Sequence, residues 1–550
     1  MKKAIRNILV LASLTVCAAS CNDVLNITPT TSYSSDVIWS DSEAVDHYVY
    51  GLYAFMKNYC EVSSYNQASY TDAYADVLKS GSWNQYNHSY NTAMLQESSF
   101  TSTSAGAFEC WDDMYSYIRR CNELLRDAPD HTDLGATNIN TWTAETRFIR
   151  ALAYMRLMMV YGNDDPTFEN GGVVLRTVLE GPEMNDKARS TWDESWDVII
   201  EDLEFAARKL PDTPSATGRL GKAAGYGMLS RAALYSKRWE RCISAADSCK
   251  VYGGALADSY KTAISSATNA ENLIAVQFTT DGKMSHRADV FFRPVGDMPY
   301  HSKVSIYGVI APTSELVDSY EMADGTDFDW SVNGSDPYSG REPRFYASIL
   351  YNGCEWEGRT IETFVGGTDG RTDFACTGTT TSTPTGYYFR KFITENETNW
   401  ETYGSSHFAP YLRYSEVLLN KAEAYAELGE YSDACEALNE VRARVGLPGR
   451  SDDDYYTFME HLRNERLVEL AGEGRRFWDL RRWKLAESLL NGTSLHGVDV
   501  KVAEDGTATY TQISVDADRT RVFPERYYAF SIPETERNNN TALGENNPGW

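Results

Sequence analysis

The densest group of charged side chains lies between positions 465 and 482. Its members are Glu465, Arg466, Glu469, Glu473, Arg475, Arg476, Asp479, Arg481 and Arg482. Carboxylates held beside cations are the groups that general acid–base catalysis uses. Charges of alternating sign along a helix and its following turn also form ion-pair networks that fix packing. We predict the structural role for this cluster.

Other signatures of catalysis are missing from the sequence. It contains no GxxxxGK[ST] phosphate loop, no GxSxG elbow, no HExxH zinc motif and no CxxC pair. Its eight histidines are scattered and none has metal-ligand spacing. With 78 Asp and Glu residues, a pair of carboxylates arranged as in a glycosidase stays open as an alternative. We predict a protein that is not an enzyme.

One short segment offers oxygen ligands of the kind that calcium prefers. The segment Asp324-Gly-Thr-Asp327-Phe-Asp329 brings three carboxylates close together in sequence. It lacks the EF-hand pattern and the distal Glu of that motif. We therefore predict no cofactor and no catalytic metal, with a structural calcium ion as the open alternative.

The net charge argues against nucleic-acid binding. The chain has 51 Lys and Arg against 78 Asp and Glu, a formal charge of −27, and the first 20 residues contribute only positive charge to it. A body this acidic repels phosphate backbones and anionic lipid head groups. Hydrophobic residues make up 42% of the chain and charged residues 23%, as in a soluble globular protein.

The N-terminus has the pattern of an export signal. Lys2, Lys3 and Arg6 precede the nine-residue apolar run 8–16, which is too short to span a bilayer, and small residues follow. The small residues end at Cys21, as in a bacterial lipoprotein box, although Ala18 stands where leucine is usual. We predict acylation of Cys21, with simple secretion as the alternative. The following segment, to about residue 40, is polar and suits a tether.

The elements that position any site are mainly helices. Apolar residues at helical spacing predict helices at 42–60, 108–128, 143–160, 191–210, 220–235, 239–251, 411–428, 431–445 and 455–470. Short strands are predicted at 273–278, 345–351 and 387–392. We divide the chain into a signal peptide (1–20), a lipidated tether (21–40), an N-terminal helical scaffold (41–252) with an early loop (65–104), a loop-rich insertion (253–410), C-terminal helices (411–490) and C-terminal loops (491–550).

The helical hairpins carry a repeat. Small and aromatic residues between Ala422 and Leu438 fall at the offsets of a tetratricopeptide repeat, and the hairpin at Trp239 repeats part of the pattern. The corresponding positions Cys242 and Ala434 are far more than one repeat apart. We therefore predict a mainly α fold, a tetratricopeptide-like scaffold of helical hairpins interrupted by a large insertion with short strands. Long insertions on rigid scaffolds are usual places for binding surfaces.

The stretch from Tyr411 to Trp483 (YLRYSEVLLNKAEAYAELG … ERLVELAGEGRRFWDLRRW) resembles the C-terminal signature of the SusD/RagB family. Four other stretches are similar to the family as well, and with them the resemblance covers essentially the whole mature chain. They are Arg147–Tyr161, Gly218–Trp239, the insertion segments Pro312–Asp318, Asp324-Gly and Arg341–Arg344, and the closing segments Ser531-Ile-Pro and Asn546–Trp550.

The resemblance implies a lipoprotein exposed at the outer-membrane surface of a Gram-negative bacterium. Family members bind oligosaccharides, usually without hydrolysing them, and act with a SusC-like TonB-dependent transporter that they close over as a lid. It also implies that ligand contacts come from the early loop and the insertion. Sugars present apolar C–H faces and hydroxyl groups, which aromatic rings and short polar side chains recognise. The ligand-binding residues predicted on this basis are Trp83, Asn84, Tyr86, Tyr90, Tyr300 and Trp330.

Three rival functions remain beside glycan capture. The first keeps the transport role and changes the ligand to a peptide or glycopeptide. The second is a glycosidase that uses two of the acidic residues. The third is a tetratricopeptide docking scaffold with no affinity for small ligands. The sequence does not name the glycan.

Overall fold

The computed structural model describes residues 38–61, 71–80, 100–181, 184, 186–281, 283–300, 306–370, 382–516 and 521–550. Cys21, Trp83, Asn84, Tyr86 and Tyr90 lie outside these residues, and so does the side chain of Tyr300. The predictions made for them therefore remain predictions.

Helices dominate the part of the chain that the structure describes. They are α1 Ser42–Asn58, α2 Trp111–Asp127, α3 Ala136–Tyr161, α4 Trp192–Lys209, α5 Lys222–Tyr235, α6 Trp239–Val251, α7 Tyr260–Ser265, α8 Ala288–Phe292, α9 Ser314–Ser319, α10 Trp330–Asn333, α11 Pro343–Ser348, α12 Trp400–Tyr403, α13 Tyr414–Glu427, α14 Tyr431–Arg444, α15 Tyr455–Glu469, α16 Arg476–Arg482, α17 Ala486–Leu490 and α18 Glu534–Asn539. The predicted fold class, mainly α with short strands, is confirmed.

Strands form antiparallel pairs rather than one large sheet. They are β1 Leu78–Ser80, β2 Asn272–Val276, β3 Ile310–Pro312, β4 Ile349–Leu350, β5 Glu355–Trp356, β6 Arg359–Thr360, β7 Tyr388–Phe389, β8 Ala409–Arg413, β9 His496–Val502 and β10 Ala508–Ser514. The pairs are β1 with β3, β2 with β8, β4 with β7, β5 with β6 and β9 with β10.

Side-chain caps set where several helices begin. Helix α4 starts with a complete capping box, in which Thr191 Oγ1 accepts from the Glu194 amide and the Glu194 carboxylate accepts from the Thr191 amide. Asp454 caps α15 by accepting from two backbone amides of its first turn. These caps satisfy amides that have no partner inside the helix.

The long helices stack in the order of the chain, and the insertion lies between two helices that are neighbours in the stack. Each of α2 to α5 packs against the next helix, and α13 follows α6 in the stack, packing against both α5 and α6. The hairpins α5–α6 and α13–α14 are therefore neighbours in space although the insertion separates them in sequence. The pairing of β2 with β8 explains this, because it ties the two ends of the insertion together.

Two local predictions need correction. Residues 345–351 were predicted as a strand, but Pro343–Ser348 form helix α11 and only Ile349–Leu350 are extended. Pro343 occupies the first turn of the helix, where its missing N–H costs nothing. In the tail, β9 and β10 form a regular hairpin of seven residues each, longer than the short extended pieces expected there.

A large cluster of buried apolar side chains runs from α1 through the helical stack to the closing segment near Leu543. Within the described residues, every helix is either too short or too polar to cross a bilayer.

Candidate functional site

The ladder of β1 and β3 joins the early loop to the insertion. Ser80 pairs with Ile310 and Leu78 with Pro312, so the chain leaves β1 beside the point where it enters β3. Thr313 strengthens the junction, since its amide donates to the Val77 carbonyl at 3.0 Å. The residues that follow Ser80 and those that precede Ile310, where ligand contacts are predicted, therefore adjoin the same ladder in the chain.

Trp330 is the predicted ligand residue whose side chain is described. It opens helix α10, is half-buried, and donates its indole N–H to Asp318 Oδ2 at 2.8 Å. Phe328 packs its edge against the indole, with ring centroids 5.4 Å apart. One edge of the indole is thus fixed by a hydrogen bond, while part of the side chain remains accessible.

Polar groups of α9 and the β9–β10 hairpin lie next to Trp330. Asp318 also accepts from Gln512 Nε2 at 3.1 Å, and burial raises the pKa of Asp318 to about 6. One turn earlier, the Glu315 carboxylate lies 2.6 Å from His496 Nδ1. We call Glu315, Asp318, Trp330, His496 and Gln512 the α9 patch. It combines an aromatic face with amide and carboxylate groups, the combination that sugar recognition needs.

The α9 patch lies near the β1–β3 ladder. Strand β3 has three residues, so Ile310 and Pro312 are only about 7 Å apart, and α9 starts two residues after Pro312. The buried pair of Lys79 and Asp516 ties β1 to the end of the hairpin as well. The structure thus places Trp330 in the same region as the β1–β3 ladder, where the early loop meets the insertion.

The charged cluster at 465–482 lies inside the protein. Glu469 accepts from Arg413 Nη1 at 2.8 Å, from Arg444 at 2.5 Å and from Arg344 at 3.1 Å. Burial by itself raises the pKa of Glu469, but these three guanidinium groups outweigh it and hold the pKa well below its ordinary value. Glu473 is held in the same way by Arg413 and Lys391. These buried ion pairs connect the elements around them, as predicted for the cluster.

Two carboxylates of the acidic segment 324–329 accept hydrogen bonds from residues two positions further along the chain. Asp324 Oδ1 accepts from the amide and the hydroxyl of Thr326, and Asp329 caps α10 through the Ser331 amide. Among the described residues, no group of three or more His, Cys, Asp or Glu side chains is arranged to hold a metal ion.

A separate open cleft of about 850 Å³ lies between α1 and β2. Tyr50 on its wall is 45% exposed, and the Arg219 guanidinium lies 5.3 Å from the centre of that ring. Arg219 is held in turn by Glu145 and Asp46. No local pattern in the sequence predicts this cleft, because its walls come from distant parts of the chain.

Two family models match the chain. The model described as "SusD family" matches residues 271–550, which is half of the chain. This chain belongs to the SusD family. A second model, described as "Starch-binding associating with outer membrane", matches residues 24–234. The predicted family is therefore confirmed.

Similar proteins cover most of the length of this SusD family member. A SusD-like protein, P38, of Formosa agariphila is 23% identical over 510 residues, covering 88% of this chain and 92% of that protein. A crystal structure of a SusD-like protein from Bacteroides fragilis has a TM-score of 0.78 and 28% identity, covering 94% of this chain and 99% of the other. Another from the same species, described as a SusD-like carbohydrate-binding protein, has a TM-score of 0.73 and 21% identity, covering 92% and 100%.

Proposed function

We propose that this protein is a non-catalytic, glycan-binding lipoprotein of the outer-membrane surface that delivers its ligand to a SusC-like TonB-dependent transporter. The observation that carries the proposal is the α9 patch. There a half-buried indole is fixed by Asp318 near the ladder that joins the early loop to the insertion. The match to the family model for starch-binding proteins that associate with the outer membrane supports the same role.

The absence of hydrolysis is part of the proposal. The largest charged cluster has its carboxylates buried and paired with arginine, so they lack access to a glycosidic bond. Glycosidases need two carboxyl groups facing one substrate, one of them free to exchange a proton. A protein that only binds the glycan needs an aromatic surface for stacking and polar groups around it.

Affinity electrophoresis of the mature chain through gels that contain different polysaccharides tests the binding role. Trp330→Ala and Trp83→Ala test the predicted site, because removal of a stacking ring lowers glycan affinity. Trp239→Ala is the matched control, since Trp239 is also a half-buried indole but lies on the helical stack. We expect one glycan class to retard the chain and Trp330→Ala, but not Trp239→Ala, to migrate faster in that gel.

Each rival function predicts a different result. If no polysaccharide retards the chain and peptides from a defined library bind to it, the ligand is a peptide and the transport role is kept. Release of reducing sugar from the retarding glycan would show a glycosidase. If the chain binds neither glycans nor peptides, the tetratricopeptide docking scaffold is the remaining function.

The membrane and transporter roles need their own measurements. Cys21→Ser should abolish incorporation of labelled fatty acid and release the protein from the outer membrane, whereas Cys60→Ser, at a buried cysteine, should not. Protease treatment of intact cells should degrade a surface-exposed protein. Affinity purification from detergent-solubilised membranes should recover a TonB-dependent transporter, and its absence from the purified material would contradict the delivery role.

A further inference from the structure

A small aromatic pocket lies at the meeting point of α3, α4, α5 and α16. Its walls include Trp192, Trp196, Tyr235, Trp478 and Tyr528, and we call it the tryptophan pocket. Its volume is about 60 Å³, several times the roughly 10–15 Å³ that one water molecule needs. It shares no residue with the α9 patch, so it is a second site; the choice of a sugar as its ligand rests on the proposed function.

Two buried hydrogen-bond donors of this pocket are unused. Trp196 is 1% exposed and Tyr235 7% exposed, and neither the indole N–H nor the phenol O–H has a hydrogen-bond partner among the described residues. Folded proteins seldom leave such groups unpaired, because each keeps its desolvation cost without a compensating bond. Two such donors on the walls of one pocket indicate a place for an acceptor.

Arg481 adds a buried cation that makes no direct ion pair among the described residues. Its guanidinium donates to three backbone carbonyls, those of Met159, Tyr527 and Tyr528, and it forms no ion pair with a carboxylate of the described residues. Burial without a paired anion lowers the pKa of Arg481 to about 9. A guanidinium has five N–H groups, so two remain for another acceptor.

The rim of the pocket is also cationic. Lys237 follows α5 and Lys484 follows α16, each with the left-handed φ that usually calls for glycine, 61° and 57°. Both ammonium groups contact the single carboxylate of Asp164. Arg482 also lines the pocket, but its guanidinium already pairs with Glu423 and Asp479. Lys237, Lys484 and Arg481 therefore share the single carboxylate of Asp164 on the pocket wall, in a chain whose formal charge is −27.

We propose that the tryptophan pocket binds a small oxyanion, a carboxylate or a sulfate, carried on a sugar ring. The oxyanion accepts hydrogen bonds from Trp196, Tyr235 and Arg481 and neutralises the buried guanidinium. Charge-assisted bonds of this kind are the strong ones. The cavity of about 60 Å³ has room for the oxyanion, and the sugar ring lies at its mouth, where aromatic side chains offer apolar faces to its C–H groups. Hexuronic acids and sulfated sugars both meet this description.

Tyr235→Phe is the decisive variant, because it removes only a hydroxyl that has no protein partner among the described residues. Tyr74→Phe is its matched control, since Tyr74 is also a buried tyrosine with an unpartnered hydroxyl but lies among the aromatic rings of the core, outside this pocket. Lys484→Gly removes a rim charge and suits the left-handed φ of that position, so it should fold. Binding is measured by ligand-detected NMR and by thermal shift at constant ionic strength. The probes are glucuronate, glucose 6-sulfate, acetate, sodium sulfate and glucose.

We expect saturable binding of glucuronate or glucose 6-sulfate, weakened about tenfold by Tyr235→Phe and weakened by Lys484→Gly. Tyr74→Phe should bind as the wild type does. Equal binding of acetate and inorganic sulfate would support the oxyanion site and identify the free anion, not the sugar, as the ligand source. The proposal is overturned if no anion binds saturably, if glucose binds as well as glucuronate, or if Tyr235→Phe leaves the affinity unchanged.

Discussion

The buried arginine network predicts a large stability effect at Arg413. This residue is fully buried and contacts three carboxylates, those of Glu271, Glu469 and Glu473. Arg413→Met keeps most of the side-chain volume and removes the charge. It leaves three buried carboxylates with fewer cations, although Arg444 still holds two of them.

Loss of one partner from a buried ion-pair network costs about 3–5 kcal/mol, because the remaining charge is uncompensated. We expect Arg413→Met to lower the free energy of unfolding by that amount. The matched control is Arg208→Met, since Arg208 pairs with Glu204 at 3.3 Å on the surface and its side chain is 59% exposed. Exposed helix pairs contribute about 0.3–0.5 kcal/mol.

Urea unfolding of both variants, followed by far-UV circular dichroism, measures the difference. The pH dependence provides a second check. Because the folded-state pKa of Glu469 is depressed, its stabilisation is present above the unfolded-state pKa of about 4.3 and is lost as the pH falls below it. The gap between wild type and Arg413→Met should therefore narrow below about pH 4. The reasoning would be refuted if Arg413→Met lowered the free energy of unfolding by less than about 1 kcal/mol at pH 7. A difference between wild type and variant that grows as the pH falls would refute it as well.

Two further changes have defined outcomes. Gly474→Ala should cost about 3 kcal/mol in thermal unfolding, because φ is +69° and the new Cβ would overlap the half-buried Glu61 side chain. Gly429→Ala, at φ +78° with open space around it, should cost only about 1–2 kcal/mol; equal costs would contradict the close contact. Asp318→Asn keeps an acceptor for Trp330. Because burial raises the pKa of Asp318 to about 6, wild-type stability should rise as the pH falls from 7 to 4, and the variant should flatten that rise by about 1 kcal/mol; an unchanged pH profile would argue against the shift.

The long helices and the character of the charged cluster were predictable from local sequence patterns. Helical spacing of apolar residues is a local property, so Trp192–Lys209 and Tyr455–Glu469 were predicted close to their observed bounds. The alternating charges from 465 to 482 correctly indicated ion pairs. A charged group that is removed from water is destabilising unless an opposite charge compensates it. The family signature in the same region made membership of the SusD family predictable.

Contacts between residues that are distant in the sequence depend on how the elements pack. Arg344 pairs with Glu465 and Glu469, more than 120 positions away, and no sequence spacing encodes that choice. The indole N–H of Trp330 is fixed by Asp318 from a different helix. The tryptophan pocket could not be predicted for the same reason: Trp196, Tyr235 and Arg481 come from three helices. Local periodicity fixes which face of a helix is buried, whereas long-range packing fixes what that face touches.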